Sequence, residues 1–250
     1  MLQARTTPGG KVQPILNGWR FEITEGGPAA YRLAQLDDYT LLARRRFMWR
    51  EQATLHLRCR VSNSALPGTW GFGFWNDPFA LSLGLQGAAR RLPVLPNTCW
   101  FFHASEQNHL SFAEGQPASG FLAQAFSSPR IPSALLAPGV FASPLLLIRP
   151  LSKWLRANIA ARLIREDAKR ISVDVTEWHE YRLKWSPARV EYAIDDEMVF
   201  DTAASPKGPL GLVIWIDNQY AAWLPDGSLG MGALVSPAAW MEISDLKVAT

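Results

Sequence analysis

The chain reads as an all-β protein, a two-sheet sandwich with one inserted amphipathic helix. Three observations predict this. Short runs in which apolar and polar residues alternate recur from Trp19 to Val248, the period of a half-buried strand. Two runs, Thr98–Ser105 and Leu210–Ile216, are apolar nearly throughout, as central strands are. A helical period appears only once, where Leu151, Leu155, Ile159 and Leu163 recur at four-residue steps.

Residues 1–14 are polar and rich in proline and glycine, and read as a loose lead-in to a single domain over 15–250. Trp19–Glu25 gives a short alternating strand, and Tyr39–Trp49 a strand or short helix around three arginines. In Thr54–Val61, Leu55, Leu57, Cys59 and Val61 share one face, and His56, Arg58 and Arg60 the wet one. Gly68–Phe79 is the strand on which the reading turns. Trp70, Phe72 and Phe74 face one way, into a core; Gly71, Gly73, Trp75 and Asp77 face the other, with the Asn76 amide beside them. Glycines at alternate strand positions mark a place where something approaches the backbone closely. Such a floor beside an indole suits a sugar ring or another flat ligand; alternatively the glycines make room for a packed side chain or a bulge.

Ala80–Pro96 reads as a linker, and Thr98–Ser105 as a central strand with Cys99, Phe101 and His103 on one face. A proline-rich and helical insertion follows over 127–170. Its helix begins at Pro150, tolerated in a first turn, and Arg149–Arg170 carries seven basic and two acidic residues. The expected packing puts this helix on its own domain, with contact to an anionic membrane surface through 150–170 as the other reading. Trp178–Trp185 and Val190–Ile194 form a meander with a tight turn at Asp195–Asp196. Trp240–Val248 closes the chain with one irregular step.

At 250 residues, 48% apolar and 19% charged, the chain has ample core material. A net charge of +3, spread without a basic stripe, excludes a nucleic-acid binder. Two cysteines, Cys59 and Cys99, give no disulfide framework and read as buried thiols. No apolar signal segment or membrane-length run is written into the sequence, which predicts a cytoplasmic protein.

The pieces resemble the jelly-roll sandwich of the concanavalin A-like lectins and glucanases, and most of all family 16 glycoside hydrolases. Trp178–Glu197, W-H-E-Y-R-L-K-W-S-P-A-R-V-E-Y-A-I-D-D-E, carries most of the likeness. Gly208–Trp223 and Ala238–Val248 resemble later strands of that family, and Gly68–Trp75 more loosely a G-x-W-P-A-x-W motif. The resemblance implies a ligand held in a concave cleft, with Asn218 and Trp223 brought to it alongside Gly71, Gly73, Trp75 and Asn76. It also implies a structural calcium site, to which Asp245 is the one candidate contributor; no other cofactor is expected. The family's catalytic E-x-D-x-E has no counterpart here. Retaining hydrolysis needs two carboxyl groups about 5 to 5.5 Å apart, and no strand of this chain supplies them. The reading is therefore a non-hydrolytic or divergent glucanase-like module that binds a carbohydrate or a similar small molecule. Two alternatives stand beside it. One is a divergent acid–base enzyme using Asp77, Glu106 and Asp217, each following an apolar strand, together with His103. The other is an interaction protein docking through the basic helix.

Overall fold

The computed structural model describes residues 2–78, 91–132, 134–136 and 143–250. In chain order its first eight strands are β1 (Gln3–Thr6), β2 (Gly10–Ile15), β3 (Gly18–Ile23), β4 (Leu33–Asp37), β5 (Thr54–Val61), β6 (Thr69–Trp75), β7 (Thr98–Ala104) and β8 (Gly120–Ser127). Then come β9 (Arg165–Arg170), β10 (His179–Trp185), β11 (Val190–Ile194), β12 (Glu197–Thr202), β13 (Gly211–Asp217), β14 (Gln219–Trp223), β15 (Leu229–Ala233) and β16 (Ala239–Ala249). They build two seven-stranded antiparallel sheets. The first has the order β1-β4-β13-β6-β7-β8-β9, the second β12-β11-β10-β5-β16-β3-β2, and β14–β15 is a separate hairpin. This is the jelly-roll sandwich that the alternating runs and the resemblance predict.

The alternation decides what lies between the sheets. Leu55, Leu57, Cys59 and Val61 of β5 point inward, as do Tyr181, Leu183 and Trp185 of β10 and Trp70, Phe72 and Phe74 of β6. Aromatic rings knit the layers together: Phe72 and Phe101 of the first sheet each lie 5.1 Å from Tyr181 of the second, edge to face. Truncating one such ring to alanine costs roughly 3–5 kcal/mol. Cys59 and Cys99 are buried free thiols in this core. The Asp195–Asp196 turn joins β11 to β12 with both residues at positive φ (50° and 65°), the two-residue turn whose twist matches a hairpin. The irregular step in β16 is a bulge between Ser244 and Lys247.

Two expectations are corrected, and one alternative is decided. Residues 1–14 are not a loose lead-in: β1 pairs with β4 at the edge of the first sheet, and β2 with β3 at the edge of the second. Edge strands are held by backbone hydrogen bonds and need little apolar patterning, so composition alone misses them. Between Tyr39 and Trp49 the short-helix alternative holds, as a 3-10 turn over the three arginines Arg44–Arg46. The helix does not run over 150–170. It comprises Arg149–Leu155, a wider π turn Arg156–Ala160, and Ala161–Leu163. Residues Arg165–Arg170 then pair with β8 as β9, covering its open edge. The linker expected over Ala80–Pro96, and Phe79 at the end of the glycine run, fall mostly outside the described residues.

Candidate functional site

Register fixes which side chains leave the outer face of the first sheet. Gly71 pairs with Phe102 of β7 and Trp215 of β13; Gly73 pairs with Trp100 and Val213. Thr98, Trp100, Phe102 and Ala104 therefore face outward with the glycines. Cys99 and Phe101 point into the core between the sheets, and so does His103 on the same face of β7. The shared face of Cys99, Phe101 and His103 is therefore the core face. The outward row of β7 carries no carboxylate either.

The glycines face outward as expected, but the floor is not bare. A Cβ on Gly71 would stand 2.5 Å from the Phe101 carbonyl oxygen and 3.1 Å from the Trp215 ring. One on Gly73 would stand 2.4 Å from the Cys99 carbonyl oxygen and 2.5 Å from Trp100 Cβ. Both glycines are buried. They are small because neighbouring backbone and indoles already occupy the space above them, which is the packing alternative. Over them lies a second apolar cluster with Phe102 and Trp215 at its centre and Trp75 and Trp100 at its edge. Trp100 stacks on Phe102 at 5.0 Å and lies 5.4 Å from Trp215 and 6.0 Å from Trp75. Trp75 and Trp100 stay partly exposed. Two cavities, of about 250 and 150 Å³, open elsewhere, beside Trp49 and Met48 and beside Asn97 and Lys207.

The four acid–base candidates do not converge. Asp217 is the last residue of β13, paired with Thr69, and Asp77 lies beyond the opposite end of β6, roughly 20 Å or more away at the rise of a strand. Asp217 is buried; its carboxylate accepts from the Thr69 hydroxyl (2.8 Å), Thr69 N, Gln219 N and the Tyr31 hydroxyl (3.1 Å). Burial outweighs these donors and lifts its pKa to about 6. Asp77 is paired with Arg91 and sits near Arg44; burial still raises its pKa, against the pull of both arginines. His103 stacks on Trp70 (5.6 Å) with Nε2 3.1 Å from the Leu66 carbonyl, and burial lowers its pKa, keeping the ring neutral. Glu106 is exposed in the turn after β7.

The predicted binding residues are mostly committed to the fold. Asn76 donates to the Leu95 carbonyl (2.8 Å) and accepts from Asn97 N (3.0 Å). Asn218 is fully buried, accepting from Arg32 N and donating to the carbonyls of Ala30 and Leu234. Trp223 donates to the Ser152 hydroxyl (2.9 Å) under the helical insert. Asp245 is exposed in the β16 bulge, taking a hydrogen bond from the Ser244 hydroxyl (2.9 Å). Among the described residues no three acids, histidines or cysteines gather to hold a metal ion.

Sequence reasoning missed a polar cluster beneath the helical insert. Gln124 accepts from Trp100 Nε1 (3.1 Å) and donates to Glu166 (3.1 Å), which also accepts from Phe112 N (2.7 Å) and Ala113 N (3.2 Å). Burial raises the Glu166 pKa. Arg156, 3% exposed, donates to the carbonyls of Trp223 (2.9 Å) and Ser111 (2.8 Å), and its guanidinium lies 3.2 Å from His109 Nε2. The signal was present: Ser152, Arg156 and Ala160 also recur at four-residue steps, and this is the stripe the insert buries. Glu166 and Asp217 both face outward, but four strand spacings, roughly 19 Å, and a six-residue offset along the strands, roughly another 20 Å, separate them. Hydrolysis of a glycosidic bond needs no more than about 9.5 Å between its carboxyl groups.

No known family's sequence profile matches the chain, and no curated protein matches it. Solved structures do. A glycoside hydrolase family 16 structure from the mixed linkage glucan PUL of Bacteroides ovatus, in complex with a product, aligns with a TM-score of 0.50 at 8% identity, covering 97% of this chain and 86% of that one. The fold is the glucanase jelly roll. A β-glucanase of Bacillus licheniformis is similar with a TM-score of 0.48 at 9% identity, over 96% of this chain and 82% of its own. A glycoside hydrolase family protein of Mycobacterium thermorestibile is similar with a TM-score of 0.46 at 14% identity, over 93% and 79%. At such identities the glucanase-like architecture is shared, and residues are read from this chain alone.

Proposed function

We propose that this chain is a glucanase-like module that binds a carbohydrate without hydrolysing it. One observation carries the reading. The outward positions of β7 are Thr98, Trp100, Phe102 and Ala104, so aromatic rings stand where glycosidase chemistry on such a strand needs alternating carboxylates. The ligand would meet the partly exposed indoles Trp75 and Trp100 at the edge of the aromatic cluster, and not the glycine floor. A flat apolar ring face suits the C–H face of a sugar, and indoles supply such area with little conformational entropy to lose. The Bacteroides ovatus structure of the same fold is in complex with a product, which supports a carbohydrate as the ligand class.

Isothermal titration against mixed-linkage and other β-glucan oligosaccharides tests this. The expected result is saturable binding that weakens by about tenfold or more in Trp75→Ala, equivalent to roughly 1.4 kcal/mol, while circular dichroism stays unchanged. Absence of heat at millimolar ligand, or binding indifferent to Trp75→Ala and Trp100→Ala, overturns it.

A further inference from the structure

The helical insert is turned inside out. A helix on a globular domain buries its apolar stripe and shows charge to water, and Leu151, Leu155, Ile159 and Leu163 predict that orientation. The structure buries Ser152, Arg156 and Ala160 instead. Leu151 and Leu155 are half-buried, while Ile159 is 42% and Leu163 37% exposed. Trp154 (53%) and, just ahead of the helix, Ile148 (52%), Leu147 (76%) and Leu145 (48%) are exposed apolar side chains as well. The orientation is locked from below, since Arg156 is held by the Trp223 and Ser111 carbonyls and Ser152 accepts the Trp223 indole N–H.

The charge on the insert itself has one sign. From 128 to 165 the chain contains no aspartate or glutamate, and Arg149, Lys153, Arg162 and Arg165 are exposed there. Arg149 meets Asp226 only at 3.9 Å; Lys153, Arg162 and Arg165 have no ion pair among the described residues. Contiguous exposed apolar side chains mark an interaction site. Two copies of this surface placed face to face would oppose cation to cation, which disfavours self-association. A layer of anionic headgroups over hydrocarbon matches both features: the apolar side chains sink to the acyl boundary and the arginines and lysine meet the headgroups.

We propose that the outer face of the 145–163 insert docks on an anionic lipid surface. The docking side chains do not include Trp75 or Trp100, so the proposal stands independently of the carbohydrate reading.

Flotation of the full chain with vesicles of phosphatidylcholine and phosphatidylglycerol, against phosphatidylcholine alone, is the test. Binding is expected to be at least about tenfold stronger with the anionic lipid and to fall steeply at high salt, because each basic side chain near the surface contributes separately and screening weakens all of them. Trp154→Ser with Ile159→Ser, and separately Lys153→Glu with Arg162→Glu, should each abolish flotation. These side chains are exposed, so an unchanged melting temperature is expected; should a pair fail to fold, the salt and lipid dependence of the unaltered chain still decides. No flotation with anionic vesicles, equal flotation with both lipids, or flotation untouched by both folded pairs overturns the proposal. So does a dimer in lipid-free buffer, by sedimentation, that Trp154→Ser with Ile159→Ser dissociates.

Discussion

Gly71 is a residue whose side is legible in the sequence and whose neighbours are not. Alternation places it outward, yet nothing in the run G-T-W-G-F-G-F-W says that Trp215, some 140 positions on, reaches over it. Adding a methyl there drives it into the Phe101 carbonyl, so Gly71→Ala is expected to lower stability by roughly 1–3 kcal/mol. Gly27→Ala, where no atom lies within 4 Å, should stay within about 0.5 kcal/mol. Denaturant melts of the two variants compare them, and a tolerated Gly71→Ala would mean the floor is open after all. Asp217 makes a second prediction at this scale. Its folded pKa of about 6 lies above the ordinary aspartate value of 3.8, so the folded state holds the proton more tightly and stability falls as pH rises through that window. The difference integrates to about 3 kcal/mol. Asp217→Asn should remove this slope; melting temperatures of both proteins at pH 4, 5, 6 and 7 check it, and parallel curves would refute the assignment.

Elements differ in how far their sequence announces them. The β11–β12 hairpin is legible because its turn residues, Asp195 and Asp196, have the chemistry the turn demands, even though the pairing shifts register between Tyr192 and Ala193. The insert misleads because two stripes of equal period compete on one helix. The leucine stripe has the larger transfer free energy, but the Ser152–Arg156–Ala160 stripe meets buried acceptors already in place on the sheet side. A buried guanidinium with two carbonyl acceptors and Glu166 nearby is stable, and removing it is not. Arg156→Ala should therefore destabilise the fold by roughly 2–4 kcal/mol and expose 145–163 to limited proteolysis. Unchanged proteolysis would show that the insert is held by other contacts. Edge strands β1 and β2 were hidden for the opposite reason, since backbone hydrogen bonding without an apolar stripe leaves no periodic mark.

At the scale of the molecule, the sandwich was legible because its core is a sum of many alternating strands, each too simple to misread together. The site was not, because the glycines, the indoles of Trp75, Trp100 and Trp215, and the acids Asp77, Glu166 and Asp217 come from strands far apart in the chain. Only the sheet order decides which of them meet. That order brings aromatics together and keeps the acids apart. The most direct test of this account incubates the protein with soluble mixed-linkage β-glucan and measures both bound polysaccharide, by retardation in an affinity gel, and new reducing ends over a day. The account predicts retardation that Trp75→Ala weakens, with no reducing ends above the protein-free control. Reducing ends that accumulate in proportion to protein, in a preparation free of other hydrolases, would contradict it.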